Sequence, residues 1–264
     1  MELLIILKAF LLGIVEGLTE FLPVSSTGHL IIVGDLIKFN GDQAKTFEIF
    51  IQLGSIFGVM WFYRSKLAAL ATSMKESSSQ HFVINLFIAF LPAAIVGLLL
   101  HKYIKAYLFN PKVVAGALIV GGVLILIIER FAQKPKIDDV DKLGYLDALK
   151  VGIAQTAALF PGVSRSGATI MGGLLGGLSR KTATEFSFFL AMPTMFAATL
   201  YDLYNNIHLL NKNDIVIFAT GFVMAFFTAL IVVKVFLAYV AKHNFTVFAY
   251  YRIIFGSLVL IYFW

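Results

Sequence analysis

Cysteine is missing from all 264 residues, so neither a disulfide framework nor a thiolate metal site can be built. Charge is scarce as well. Asp, Glu, Lys and Arg make up 14% of the chain, where a soluble domain carries about a quarter. That shortage, beside 59% hydrophobic residues and a mean hydropathy of +0.89, excludes a soluble globular protein. The period-two alternation of a transmembrane barrel is also absent; the apolar runs are long and continuous, so the spans are helices. Met1-Glu2-Leu3-Leu4 lacks a basic flank and a small-residue cleavage site, so this opening is expected to be a mature membrane segment.

The net charge of +6 does not point to nucleic acid. Arg64, Lys66, Lys75, Lys102, Lys105 and Lys112 stand at the ends of apolar runs, where they anchor a chain to anionic headgroups. The expected partners are bilayer lipids. Apolar segments fall near 3–22, 30–39, 47–63, 82–100, 113–128, 146–160, 168–178, 186–201, 215–240 and 245–264. Crossing the hydrocarbon takes about 20 residues, so 30–39, 146–160 and 168–178 are too short alone. Short pieces interrupted by Gly or Pro suggest re-entrant helices lining a cavity. The polar linkers are 64–81, 101–112, 129–145 and 202–214. Those at 64–81 and 101–112 are both basic on opposite sides of one span, so the charge count gives no membrane orientation.

Shifted by 139 residues, the chain matches itself without gaps between 9–57 and 148–196. Gly13/Gly152, Phe21/Phe160, Val24/Val163, Ser25/Ser164, Gly28/Gly167 and Phe47/Phe186 are among the identical pairs. We read one membrane domain over 1–264, made of repeats at roughly 1–128 and 146–264 joined by linker 129–145. Three full spans per repeat would insert the copies in opposite directions, about six transmembrane helices in all plus two re-entrant regions. Inverted repeats place their site between the broken helices, so Val24–His29 should face Val163–Thr169.

Polar groups gather at these two places. Glu16 and Glu20 are four apart, on one helical face, and in low dielectric such a pair demands a proton or a cation. A hard divalent ion, Mg2+ or Ca2+, would satisfy both and leave room for phosphate oxygens. Pro23 ends the first helix, and Ser25, Ser26, Thr27 and Gly28 open the next, where free backbone amides can hold an anion. Ser26 with His29 is the minimal activated-nucleophile pair, and the plainer reading of these residues is a capped membrane helix. The second loop, Pro161-Gly162-Val163-Ser164-Arg165-Ser166-Gly167-Ala168-Thr169, contains the only charge between Lys150 and Arg180. Arg165 at membrane depth needs an anion, either Glu16 or Glu20 or a bound phosphate, with Ser164, Ser166 and Thr169 beside it. Gln155 aligns with Glu16 and Leu159 with Glu20, so one copy has the carboxylates and the other the arginine. Glu48, Gln52 and Glu185 are weaker candidates, and His81, His101, His208 and His243 lie beside linkers where solvated histidines are usual.

Glu16-Gly-Leu-Thr-Glu20, running on into Pro-Val-Ser-Ser-Thr-Gly-His29, resembles the Glu/Gln-x-x-x-Glu signature of the bacterial undecaprenyl-pyrophosphate phosphatase, or bacitracin-resistance, family. Pro161 to Thr169 resembles that family's Pro-Gly-x-Ser-Arg-Ser-x-x-Thr signature without a departure. The resemblance implies an all-α cytoplasmic-membrane hydrolase that removes the terminal phosphate of a C55 isoprenyl diphosphate. The product is the carrier lipid of peptidoglycan synthesis. Divalent-metal dependence, a homodimer, inverted repeats and bacitracin resistance are implied with it. By carry-over, Glu16 and Glu20 bind metal or move protons, and Ser26 or His29 is nucleophile or base. Ser25, Thr27, Ser164, Arg165, Ser166 and Thr169 would hold the diphosphate. The family's recycling role implies a site open to the outer face. A secondary transporter or flippase of a phosphate-bearing lipid would use a similar architecture and is the competing expectation. The histidine phosphatases of the PAP2 type fail on sequence, since Met171 stands where their second motif needs histidine.

Overall fold

The computed structural model describes residues 2–39, 41–108, 110–132, 134–206 and 214–264, so His208 and most of linker 202–214 lie outside the described residues. Eleven α-helices follow one another among the described residues: α1 (Glu2–Thr19), α2 (Ser26–Leu36), α3 (Asp42–Phe62), α4 (Arg64–Thr72), α5 (Ser77–Tyr107) and α6 (Pro111–Phe131), then α7 (Tyr145–Thr156), α8 (Arg165–Leu175), α9 (Arg180–Asn206), α10 (Ile215–Val240) and α11 (Thr246–Tyr262). The chain is an all-α integral membrane protein. Four of these helices are long and apolar enough to cross a membrane, five if α3 and α4, bent by 71° at Tyr63, count as one broken span. α11 is apolar but, at 17 residues, shorter than these, so the described residues give four or five crossing helices where about six are expected.

The expected polar linkers at 64–81 and 101–112 are largely helical: α4 lies wholly within the first and α5 runs on into the second. Polarity there never asked for a loop, because Lys, Ala and Leu propagate a helix in water as well as in lipid. What stops α5 is Pro111, which opens α6 at its first turn while the Asn110 side chain accepts the Val113 N–H at 3.0 Å. Pro92 and Pro193 sit inside α5 and α9, where membrane helices tolerate them.

α2 and α8 are 11 residues each, about 16 Å long, half of what the hydrocarbon core requires. Each folds back on its predecessor, α2 on α1 and α8 on α7, to make two helical hairpins. Both begin after a serine in the left-handed region, Ser25 at φ 69° and Ser164 at φ 76°. Two non-glycine residues held there at aligned positions mark both turns as strained sites.

The first helix of each hairpin packs on a long helix from the other half of the chain, α1 on α10 and α7 on α5. The approach is close because Gly13 and Gly17 of α1 lie on the α10 backbone at Gly221 and Ala225, and Gly54 and Gly58 of α3 lie on the same helix at Phe222 and Phe226. A Cβ on Gly58 would stand 2.8 Å from the Phe226 carbonyl. Gly58→Leu is therefore expected to lower the thermal unfolding temperature in detergent by several degrees, an overpacking cost of about 1–3 kcal/mol. An unchanged melting curve would mean that this contact is looser than described. α9 is the most enclosed of the apolar spans, and its Phe186, Phe188, Phe189 and Leu190 form the centre of the main core.

Candidate active site

Glu16 lies in the last turn of α1, and Glu20 is tied to it by its own N–H, which donates to the Glu16 carbonyl at 2.9 Å. Both carboxylates are buried, Glu16 at 0% and Glu20 at 7% exposure. Glu20 is occupied from two sides. Its Oε1 accepts Arg165 Nη2 at 2.9 Å, and its Oε2 accepts Ser26 Oγ at 2.6 Å. The two loops expected to face each other do so, across 145 residues of chain. Ser166 Oγ adds a second strap, donating to the Leu22 carbonyl at 2.7 Å.

Arg165 is fixed by more than its ion pair. Nη1 donates to the carbonyl and hydroxyl of Ser187 at 3.1 and 3.3 Å, Nη2 also reaches Met195 Sδ, and the guanidinium lies over the Phe21 ring. Its Nε is buried and has no partner among the described residues. An unmet donor in such a place is an invitation to an oxyanion. Thr169 is wholly buried and spends its hydroxyl on the Arg165 carbonyl and on Ser187, at 2.9 and 2.7 Å. Ser164 Oγ caps α8 by accepting the Gly167 N–H at 3.1 Å and lies 3.0 Å from Ser166 Oγ. By contrast the start of α2 has no side-chain cap. Its leading amides, in the turn that carries Ser26, Thr27 and Gly28, are of the kind that bind anions.

His29 is not joined to Ser26. Its Nδ1 is 2.8 Å from the Ser25 carbonyl, its Nε2 is 2.6 Å from the Tyr251 hydroxyl, and the ring stacks on Phe255. A carbonyl only accepts, so Nδ1 carries the proton, and in the neutral ring Nε2 accepts from Tyr251. The carboxylate Glu20, and not the histidine, is therefore in place to take the Ser26 proton.

Neither Glu16 oxygen has a well-formed hydrogen bond among the described residues, with Ser55, Glu20 and Glu48 all near enough to act on its charge. An uncompensated buried carboxylate is costly, so this position wants a proton or a cation. Carboxylate oxygens are the hard donors that Mg2+ or Ca2+ takes, and Glu16 and Glu20 are the residues that could hold such an ion, although no group of three carboxylates or histidines gathers among the described residues. At the aligned position the neutral Gln155 makes long contacts to the Ala89 carbonyl and Thr194 hydroxyl, each 3.4 Å. Only one copy of the hairpin thus carries the unmet charge.

A family model described as Bacitracin resistance protein BacA matches residues 9–258. The chain belongs to that family. Similar full-length proteins of this BacA family are named undecaprenyl-diphosphatase. One from Methylobacillus flagellatus is 57% identical over 269 residues, covering all of both chains. Another from Aromatoleum aromaticum is 58% identical, covering 98% of this chain and 95% of that one. A third from Nitrosomonas europaea is 58% identical, covering 99% and 96%.

Sequence reading passed over four residues that this BacA-family chain brings to the loops: Ser187, Met195, Tyr251 and Arg252. Arg252 had a signal, since it is the only charge in the apolar run 245–264, and the reasoning applied to Arg165 applies to it equally. Ser187 and Met195 had none, being ordinary residues of a buried helix.

Proposed function

We propose that this chain hydrolyses undecaprenyl diphosphate to undecaprenyl phosphate and inorganic phosphate, returning the carrier lipid to peptidoglycan synthesis. The observation that carries the reading is Glu20 holding Ser26 and Arg165 at once, a general base and a phosphate clamp on one carboxylate. Ser26 Oγ attacks the terminal phosphorus while its proton passes to Glu20 Oε2. The bond from that phosphorus to the bridging oxygen breaks, and the lipid monophosphate departs with the bonding pair. Glu20 gives that proton up to the departing lipid phosphate. Water then attacks phospho-Ser26, its proton passing to the freed Glu20 Oε2 and on to Ser26 Oγ as the P–O bond to serine breaks and phosphate leaves. Arg165 turns from Glu20 toward the diphosphate, its free Nε and fork meeting phosphate oxygens together with the amides that begin α2. Ser164, Ser166 and Thr169 keep that arginine and its loop in place; Ser25 and Thr27 line the approach at the start of α2.

Glu16 and Glu20 would hold a divalent cation. When bound, such an ion neutralises diphosphate charge. We place the protein in the bacterial cytoplasmic membrane as a homodimer, with repeats of opposite orientation and the site open to the outer face, where the diphosphate form of the carrier is released.

Purified protein in detergent is expected to release phosphate from the lipid diphosphate, to stop when the cation is chelated, and to recover with Mg2+ or Ca2+. Glu16→Gln should raise the cation concentration needed for half-maximal rate by about tenfold or more, since a full charge is lost at short range. Phosphate release that is indifferent to chelation would remove the cation from the scheme. No release under any cation would leave a carrier of phosphate lipids as the better reading.

A further inference from the structure

Arg252 is the largest fully buried side chain among the described residues, 1% exposed in the middle of α11. All its donors are used, and every acceptor is a main-chain carbonyl. Nε donates to Leu118 at 3.2 Å, Nη1 to Pro23 at 3.1 Å and Val163 at 2.9 Å, and Nη2 to Ala117 at 3.1 Å and Gly162 at 2.9 Å. Two of these carbonyls belong to α6, one to the loop before Ser26, and two to the loop before Arg165. Pro23 and Gly162 are themselves 139 residues apart, the spacing that superposes the two loops in sequence. One guanidinium thus reaches equivalent points on both. Gly121 of α6 and Gly167 of α8 flank it closely, and a side chain at Gly121 would take the place of the guanidinium.

The geometry points to Arg252 as the positioning residue that sets the separation of the two hairpin loops, and through it the distance from Ser26 to Arg165. It touches neither carboxylate among its bonds, so it acts through the backbone. Only a fork can do this: five donors in one plane bridge three segments, whereas a lysine ammonium has three donors about one point. Partial compensation by lysine and loss with methionine follow. Misplacing a reacting group by about 1 Å costs on the order of a hundredfold in rate while leaving binding contacts largely available. The inference rests on the phosphatase reading for its kinetic arm and is independent of it for its structural arm.

The chain has no cysteine, so Leu36→Cys and Leu175→Cys, at the exposed ends of α2 and α8, can be spin-labelled alone and their distance distribution measured. In Arg252→Lys and Arg252→Met the distribution is expected to broaden. Turnover should fall about 10- to 100-fold with KM within threefold of the parent. A KM increase at unchanged kcat would put Arg252 on the substrate and overturn the proposal. So would an unchanged distance distribution and turnover in both variants. If methionine prevents folding, lysine decides alone. Failure of both to fold would make Arg252 a folding residue and end the proposal. If the parent itself releases no phosphate, the phosphatase reading falls while the distance measurement still judges the docking role.

Discussion

Ser26→Ala is expected to lower kcat by about 10^4-fold while the protein still folds and still binds the lipid diphosphate. The hydroxyl is within 2.6 Å of Glu20 and is the attacking group in the proposed scheme. His29→Ala should be milder, about 10- to 100-fold, because its ring nitrogens meet the Ser25 carbonyl and Tyr251 and leave Ser26 alone. Rapid quenching with substrate labelled in the terminal phosphate should trap the label on Ser26, identifiable by peptide mass spectrometry. Label on His29, or a Ser26→Ala protein with near-parent turnover, would sink the assignment. Direct attack by water predicts no trapped label at all, and that result would equally displace Ser26.

Arg165→Ala should lose about 10^3-fold or more in kcat, and Arg165→Lys nearly as much, because a lysine keeps the charge and forfeits the bidentate fork. Stability should also move. Without the arginine, Glu20 stays buried at 7% exposure beside the unpaired Glu16, and breaking a buried pair from one side costs about 3–5 kcal/mol. The double variant Glu20→Gln with Arg165→Met removes both charges and should regain much of the lost thermal stability while remaining inactive. Denaturation in detergent followed by intrinsic fluorescence reads the first effect, and phosphate release reads the second. Near-normal turnover in Arg165→Ala would remove the phosphate clamp from the site.

Much of this is legible in the sequence, for a simple reason. Ionisable residues are costly in hydrocarbon, so Glu16, Glu20, His29 and Arg165 stand out against an apolar background in a way that no soluble protein allows. The same cost made Pro23 and the serines after it readable as a break followed by a new helix; α2 does begin at Ser26, but α1 stops at Thr19, four residues before the proline, so Glu20 sits in the turn. Helix extent was harder. Lysines near 66 and 102 suggested loops, yet α4 and α5 continue through them, because a helix satisfies its own backbone whether its side chains are wet or not. The Ser26–His29 pairing also came from proximity in sequence. In space the ring of His29 faces Tyr251, 222 residues away, and Ser26 faces Glu20 instead.

Sequence alone therefore determined the solvent, the helical class, the two loops and the chemical types gathered in them, since each follows from transfer free energies and local backbone chemistry. Tertiary structure decided who touches whom. Glu20 takes Ser26 and Arg165, His29 takes Tyr251, and Arg252 fastens both loops to α6. Those choices depend on glycine-lined helix contacts that let α10 and α6 approach within reach of groups far away along the chain. A hydrogen bond is lost within a fraction of an ångström, and no pattern of residue types specifies distance that finely.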